Sequence, residues 1–286
     1  MENSPLSQRF TSRFVAGQTL KEGVRVLEAL ARERILGTLD FLGENVSSLE
    51  DAAHSKGAYL AAQADIEKAN LPATVSIKLT QFGLDFSETV CCSNVAALLD
   101  RAREMNSKVE IDMESTAYTD RTLRIVTDFQ ENYFGHLRAV IQAYLFRSEA
   151  DIRMLSSRRI PVRLCKGAYR EPPNLAFARK QDVDANYLKL MKLLLQEGTY
   201  PAIASHDEKI IRQAVEFVRE QRISPDRFEF QMLYGIRRDL QRELVSQGYT
   251  LRLYVPYGDA WYPYFMRRLA ERPANLLFLA KNLVRS

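Results

Sequence analysis

Short runs of apolar and β-branched residues alternate with amphipathic segments along most of the chain, and this alternation constrains the fold more than any other feature. Eight runs are predicted to be strands: Leu36–Leu42, Ala73–Leu79, Val109–Met113, Arg138–Tyr144, Ile160–Cys165, Tyr200–Ser205, Phe228–Met232 and Thr250–Val255. Apolar residues at helical spacing lie between them, most clearly in Leu20–Arg34, Asn94–Met105, Asp184–Gln196 and Asp207–Gln221. Strands that alternate with helices form right-handed βαβ units and a parallel sheet. Eight such units predict an α/β protein with a closed (β/α)₈ barrel, which usually needs about 250 residues.

The main rival to the barrel is an open, doubly wound sheet. That fold commonly carries a glycine-rich phosphate loop after an early strand, and the sequence contains no G-x-G-x-x-G or Walker A motif. No linker, repeat or low-complexity segment divides the chain. The sequence therefore predicts one domain over residues 1–286, with residues 1–15 as a loose terminus.

Composition and charge narrow the class of protein. Apolar residues make up 46% of the chain and charged residues 27%, as in globular proteins with a sizeable core. The formal net charge is only +4, with acids and bases interspersed, which argues against a nucleic-acid partner. Cys91, Cys92 and Cys165 lack metal-ligand spacing, so we expect reduced thiols and no metal. The polar start and the lack of a long apolar run predict a cytoplasmic protein, with peripheral contact to the inner face of the membrane left open.

Polar side chains occur at or just after the predicted end of every strand. They are Glu44, Lys78, Asp112, Gln142, Arg163 with Lys166, His206, Gln231 and Tyr254. Barrel enzymes carry their chemistry at the carboxyl ends of the strands. The set therefore predicts an active site at this end of the barrel.

A second candidate feature lies on the last predicted helix. Tyr264, Arg267, Arg268 and Glu271 follow one another at positions i, i+3, i+4 and i+7, which places them on one helix face. This face is either a solvated surface with an Arg–Glu pair or a receptor for a carboxylate, which two guanidinium groups bind well. The spacing alone does not choose between these two interpretations.

A third feature is the segment Arg163-Leu-Cys-Lys-Gly-Ala-Tyr169 at the end of the fifth predicted strand. Gly167 and Ala168 would let a planar ligand approach the backbone, and Arg163 and Lys166 supply positive charge. The segment by itself is compatible with a flavin site, a phosphate site, a Schiff-base lysine or an ordinary βα turn.

Five stretches of the chain resemble the proline dehydrogenase family, in the family's order. They are Ser76-Ile-Lys-Leu-Thr80, Ile111-Asp-Met-Glu114, Arg163-Leu-Cys-Lys-Gly-Ala-Tyr169, Phe228-Glu-Phe-Gln-Met-Leu-Tyr-Gly235 and Tyr264-Phe-Met-Arg-Arg-Leu-Ala-Glu271. The resemblance implies a distorted barrel with extra helices at both ends and non-covalently bound FAD. It also implies oxidation of L-proline to Δ1-pyrroline-5-carboxylate by hydride transfer to flavin N5, the first step of proline catabolism. A membrane quinone would accept the electrons, and a separate pyrroline-5-carboxylate dehydrogenase would use the product.

The resemblance also implies roles for individual residues. The expected catalytic residues are Lys78, Asp112, Tyr254, Arg267 and Arg268, with the two arginines on the proline carboxylate. The expected substrate-binding residues are Lys78, Leu164, Ala168, Tyr169, Tyr254, Tyr264, Arg267 and Arg268. The expected FAD-binding residues are Asp112, Gln142, Arg163, Lys166, Gly167, Ala168, Tyr169, Ser205, His206, Asp207, Gln231 and Leu233. Glu44, which would pair with Arg268, and Glu271 are expected to support the site.

The reacting amine must lose its proton before a hydride can leave, and Lys78 and the arginines are expected to favour the neutral amine through their positive charge. Two other functions are compatible with the same barrel. One is a Schiff-base aldolase that uses Lys166 or Lys78. The other is a barrel without enzymatic activity that binds an amino acid or a flavin.

Overall fold

Eight parallel strands pair in sequence order and close into a barrel, in which the last strand pairs with the first. The computed structural model describes residues 14–43 and 46–260. The strands are β1 (Leu36–Phe41), β2 (Ala73–Ile77), β3 (Val109–Ile111), β4 (Leu137–Gln142), β5 (Val162–Cys165), β6 (Ala202–Ala204), β7 (Glu229–Leu233) and β8 (Leu251–Tyr257). The predicted (β/α)₈ barrel is confirmed, and the open sheet is excluded because the sheet has no free edge.

Helices alternate with the strands. In the described part of the chain they are α1 (Leu20–Arg32), α2 (Leu49–Lys68), α3 (Glu88–Glu104), α4 (Thr116–Gln130), α5 (Ser148–Ser157), α6 (Lys180–Glu197), α7 (Glu208–Glu220) and α8 (Arg238–Ser246). The first is the extra N-terminal helix, which packs against both β1 and β8. The expected C-terminal helices lie beyond the described residues. None of the helices within 14–43 and 46–260 is long and apolar enough to span a bilayer.

The four predicted helices are present, and the largest difference in their boundaries is at the start of α3. This helix begins at Glu88, six residues before the predicted start at Asn94. The Oγ of Ser87 accepts a hydrogen bond from the backbone N of Val90 and so caps the first turn. The cap, and not the first apolar residue, therefore sets the start of the helix.

The hydrophobic core lies between the outer face of the barrel and the surrounding helices. Successive side chains of a strand point to opposite faces of the sheet, so alternate residues pack outward against helices. Leu39, Ile77, Ile111 and Ile203 are outward residues of this kind, and all four are fully buried. Their neighbours along each strand point into the barrel.

The interior of the barrel is charged, whereas branched apolar side chains dominate the interior of most (β/α)₈ barrels. Glu229 accepts hydrogen bonds from Arg138 at 2.5 Å and from Arg252 at 2.9 Å. Glu110 accepts from Arg138 at 3.3 Å and from Arg163 at 3.0 Å. All five side chains are buried. The resulting buried charge network, defined by Glu110, Arg138, Arg163, Glu229 and Arg252, supports the carboxyl ends of the strands from below.

Candidate active site

Side chains from four different strands converge at the carboxyl end of the barrel around Asp112, the residue that follows β3. Lys78, just after β2, places its Nζ 3.5 Å from Asp112 Oδ2 and 3.0 Å from Oδ1 of Asp40 on β1. Tyr254 on β8 donates its hydroxyl to Asp112 Oδ2 at 2.9 Å. The structure therefore brings together Lys78, Asp112 and Tyr254, three residues predicted from sequence to be catalytic.

The other oxygen of Asp112 is held from inside the barrel. Its Oδ1 accepts from Ser76 Oγ at 2.8 Å and from Nη2 of Arg163. The Arg163 guanidinium lies 5.3 Å from the centre of the Tyr254 ring, within the range of a cation–π contact. Arg163, a member of the buried charge network, thus connects the network to the mouth of the barrel through its bonds to Glu110 and Asp112.

The ionisation of these groups follows from their partners. Burial alone would raise the pKa of Asp112, but the charges of Arg163 and Lys78 outweigh it and lower this pKa. Burial alone would lower the pKa of Lys78, but the carboxylates of Asp40 and Asp112 raise it above its ordinary value. Burial, followed by the charge of Asp112, raises the pKa of Tyr254. Near neutral pH the site therefore presents a carboxylate, an ammonium and a neutral phenol.

Gln142 and Gln231 also lie inside the barrel. Gln142 donates to the carbonyl oxygen of Glu114 at 2.9 Å and accepts from the backbone N of Ala168 at 3.3 Å. Gln231 donates to Glu229 at 2.7 Å and accepts from Arg163 at 3.4 Å. The Gln142 amide on β4 therefore connects the ends of the neighbouring strands β3 and β5, and the Gln231 amide on β7 connects that strand to Arg163 on β5.

The predicted cofactor residues after β5 and β6 form a second polar group. Lys166 Nζ lies 2.5 Å from Asp184 Oδ1 and 3.0 Å from Asp207 Oδ2. Asp207 is the N-cap of α7, and its backbone N donates to Ser205 Oγ at 3.1 Å. His206 accepts the backbone N–H of Leu233 at Nε2, at 2.7 Å, so a neutral ring carries its proton on Nδ1.

Small side chains separate these two polar groups. Cys165, Gly167 and Ala204 are partly exposed at the ends of β5 and β6. Ala168 and Tyr169 beside them are exposed, with Tyr169 at 39%. These residues place little side-chain bulk at the ends of β5 and β6, and the positively charged Arg163 and Lys166 belong to the same β5 segment. This set of residues fits a flavin.

Gly167 has a conformation that a side chain would strain. Its φ is +119°, and an added Cβ would lie 2.3 Å from Cδ1 of Tyr144. We therefore expect Gly167→Ala to lower the free energy of unfolding by more than about 1 kcal/mol, with a further loss of cofactor affinity. Thermal unfolding and cofactor titration would measure the two effects.

Gly57 offers a matched control for this substitution. It lies in α2, and an added Cβ would meet no atom within 4 Å. We expect Gly57→Ala to stabilise the protein by roughly 0.5–1 kcal/mol, the usual gain within a helix. If both alanine variants were equally stable, the strain argument for Gly167 would be wrong.

Leu164 does not have the position that its predicted role requires. It is fully buried in the hydrophobic core, and strand alternation points it away from Arg163, toward the helices. The expectation that its side chain lines the substrate pocket is therefore corrected. The predicted residues Glu44, Tyr264, Arg267, Arg268 and Glu271 lie outside the described residues.

The sequence interpretation missed Asp40 and most of the buried charge network. A signal for the network was present, because Glu110, Arg138, Glu229 and Arg252 each stand beside apolar residues within or next to a predicted strand. Period-two alternation of charged and apolar residues indicates a strand with one polar face. A barrel that includes such strands can hide their polar faces in its interior.

Comparisons with known proteins identify the family of the chain. The family model described as proline dehydrogenase matches residues 24–281. Proline dehydrogenase 1 of Bacillus subtilis subsp. natto is 41% identical over 273 residues, which are 96% of this chain and 90% of that protein. Proline dehydrogenase of Deinococcus radiodurans is 38% identical over 280 residues, which are 96% of this chain and 89% of that protein.

Solved structures of larger proteins contain the same barrel. Proline utilization A from Bdellovibrio bacteriovorus, inactivated by N-propargylglycine, superposes with a TM-score of 0.85 at 26% identity. The match covers 92% of this chain and 32% of that one, so the chain spans about a third of the solved structure. The family model and the relatives, together with the polar cluster at the barrel mouth, establish that the chain belongs to the proline dehydrogenase family.

Proposed function

We propose that this protein is an FAD-dependent dehydrogenase that oxidises L-proline to Δ1-pyrroline-5-carboxylate, the first step of proline catabolism. The observation that carries the proposal is the convergence of Lys78, Asp112 and Tyr254 at the carboxyl end of a barrel of this family. A membrane quinone is the proposed electron acceptor, and a separate pyrroline-5-carboxylate dehydrogenase would take the product. We also propose that residues 1–286 form a single domain.

The residues proposed to hold FAD lie within or just after strands β3 to β7. They are Asp112, Gln142, Arg163, Lys166, Gly167, Ala168, Tyr169, Ser205, His206, Asp207, Gln231 and Leu233. Their support is the partial exposure of the small residues at the ends of β5 and β6, together with the positive charge of Lys166 beside them. When bound, FAD would supply the oxidation, which removes a hydride from C5 of proline.

The residues proposed to bind proline act by holding it in position. Arg267 and Arg268 would bind the carboxylate through charge-assisted hydrogen bonds, with Glu44 holding Arg268 and Glu271 supporting the same helix face. Tyr254, Tyr169 and Tyr264 would surround the ring and exclude water, and Lys78 and Ala168 would complete the pocket. A reactant held in this way gains rate from orientation alone.

The charges of the described residues refine the expectation about the substrate amine. Lys78 is compensated by Asp40 and Asp112, and Arg163 is compensated by Glu110 and Asp112. These two cations therefore add little net positive charge that would repel a proton from the amine. In this proposal, net positive charge near the substrate amine comes from Arg267 and Arg268. The substrate carboxylate in turn neutralises that charge.

The proposed function makes a direct spectroscopic prediction. We expect the purified protein to be yellow, with the absorbance of oxidised flavin. Under anaerobic conditions, addition of L-proline should reduce the flavin and remove this absorbance. D-proline is a matched control, because its carboxylate would be misdirected relative to the reacting carbon. A colourless protein that FAD cannot reconstitute, or a flavin that L-proline does not reduce, would refute the proposal.

The lysine geometry argues against the Schiff-base alternative. A Schiff-base lysine needs a neutral amine, which usually requires a lowered pKa. The pKa of Lys78 is raised instead, and Lys166 donates to two carboxylates. Borohydride trapping with a carbonyl substrate would test this directly, and a dye-linked assay with proline separates an enzyme from a binding protein.

A further inference from the structure

Asp40 lies at the mouth of the barrel and contacts the predicted catalytic lysine, although the sequence interpretation did not select it. It is the penultimate residue of β1, and strand alternation points it inward together with Thr38. Only 1% of its surface is exposed. Its Oδ1 accepts from Lys78 Nζ at 3.0 Å and, more weakly, from the Tyr59 hydroxyl at 3.4 Å.

The second oxygen of Asp40 distinguishes this residue from a structural ion pair. Asp40 Oδ2 is buried and accepts no hydrogen bond from any residue in the described ranges. Most buried polar atoms are hydrogen-bonded, and a buried carboxylate oxygen without a donor costs stability. The fold therefore keeps a charged acceptor under the mouth of the barrel at a cost in stability.

Asp112 alone would hold Lys78 poorly. It lies farther from the Lys78 Nζ, at 3.5 Å, and it already accepts from Ser76, Arg163 and Tyr254. A lysine side chain has a flexible four-carbon stem and three equivalent donors, so one distant acceptor leaves its position undetermined. Two carboxylates on different strands define the ammonium position and leave its third N–H available to a ligand.

We propose that Asp40 is a positioning residue that fixes the Lys78 ammonium at the barrel mouth so that its remaining N–H points to the bound substrate. The inference rests on the proposed oxidation of proline. Asp40 acts in it only through Lys78 and contributes no chemistry of its own. Removal of Asp40 should therefore have no kinetic effect once Lys78 is absent.

A double-mutant cycle on the FAD-loaded enzyme tests this dependence. We expect Asp40→Asn to lower kcat/KM for L-proline by about 100-fold, the loss expected when a binding group moves by roughly 1 Å, and Lys78→Met, which removes that group, to lower it by at least as much. The double variant should be no slower than Lys78→Met, because both changes remove the same interaction. Losses that multiply in the double variant would overturn the proposal.

Asp40→Glu distinguishes the effect of the negative charge from the effect of the position of the carboxylate. It also replaces Asp40→Asn in the test if that variant does not fold. It keeps the negative charge but moves the carboxylate by one methylene group. A positioning role predicts a loss in kcat/KM that again disappears in the Lys78→Met background. Wild-type kinetics in Asp40→Glu would contradict the proposal.

A second readout needs no turnover. The protein is labelled with nitrogen-15 lysine for nuclear magnetic resonance. The Nζ resonance of Lys78 is then assigned as the lysine resonance that is absent from the spectrum of Lys78→Met. We expect Asp40→Asn to lower the midpoint of its titration by roughly 1–3 pH units relative to wild type, as for the loss of a neighbouring opposite charge. The titratable groups facing Lys78 are Asp40 on β1, Asp112 and Glu114 after β3, and Tyr169 after β5.

Glu149→Gln is the matched control for both measurements. Glu149 also pairs with a lysine, since its Oε2 lies 2.5 Å from Lys189 Nζ, but this pair is on the surface between α5 and α6. We expect its kinetics and the Lys78 titration to equal those of the wild type. An unchanged Lys78 titration in Asp40→Asn would overturn the proposed pairing. A wild-type enzyme that does not oxidise proline would refute the proposed function and leave the titration as the test of the pairing.

Discussion

Replacing Glu229 by glutamine should lower the free energy of unfolding by about 3–5 kcal/mol, the cost of breaking a buried ion pair from one side. Glu229 is fully buried and accepts from Arg138 and Arg252, so the substitution leaves two buried guanidinium groups with less compensating charge. Denaturant unfolding of the wild type and Glu229→Gln would measure the difference.

Glu208→Gln is the appropriate control. Glu208 also pairs with two arginines, Arg212 and Arg237, but at the surface, where such pairs contribute at most about 1 kcal/mol. Equal stability losses in the two variants would show that the buried charge network has no special importance for the fold.

The pH dependence of stability offers a second measurement of the same effect. Burial raises the pKa of Glu229, but Arg138 and Arg252 outweigh it and lower the folded-state pKa well below the ordinary value of 4.5. A lowered folded-state pKa adds stability that is fully present above the unfolded-state pKa and is lost as the pH falls toward the folded-state value. The wild type should therefore lose stability more steeply than Glu229→Gln as the pH drops below about 4.

Replacing Arg267 or Arg268 by methionine should weaken proline binding by about 1.5–3 kcal/mol and leave the proposed FAD in place, because in the proposed site each substitution removes charge-assisted hydrogen bonds to the carboxylate. This corresponds to a loss of affinity of roughly 10- to 150-fold. The shift of the flavin spectrum on ligand binding would measure affinity, and the ratio of protein to flavin absorbance would check cofactor retention.

Two simpler ligands sharpen this test. Cyclopentanecarboxylate has the carboxylate but not the amine, and pyrrolidine has the amine but not the carboxylate. The substitutions should weaken binding of the first and leave binding of the second unchanged. Arg212→Met, on the exposed face of α7, is the control and should bind both as the wild type does. Unchanged affinity for cyclopentanecarboxylate in both variants would contradict the carboxylate role.

Much of the fold could be predicted because local pattern and global topology agree. The β1 prediction, Leu36–Leu42, differs from the observed Leu36–Phe41 by one residue, since its apolar run is bounded by turn residues. The β6 prediction was longer, Tyr200–Ser205 against the observed Ala202–Ala204. Strand ends depend on hydrogen bonds to neighbouring strands, which the run of apolar residues does not record.

The candidate site was only partly predictable. Lys78, Asp112 and Tyr254 stand next to recognisable strand ends, so their convergence followed from the rule that parallel strands end at the same side of a barrel. Leu164 also stands in a matching motif, but its side chain lies on the other face of the sheet. Membership of a matching motif therefore did not establish which face of the strand a side chain occupies.

The amino-acid sequence by itself determined the alternation of strands and helices, the polar strand ends and the motif that carries Arg267 and Arg268. Only the tertiary structure decided which charges pair, for example Lys78 with Asp40 and Glu229 with Arg138, which is 91 residues away. A local pattern states which face of a strand is polar, but the register and closure of the barrel determine which polar atoms come within hydrogen-bonding distance.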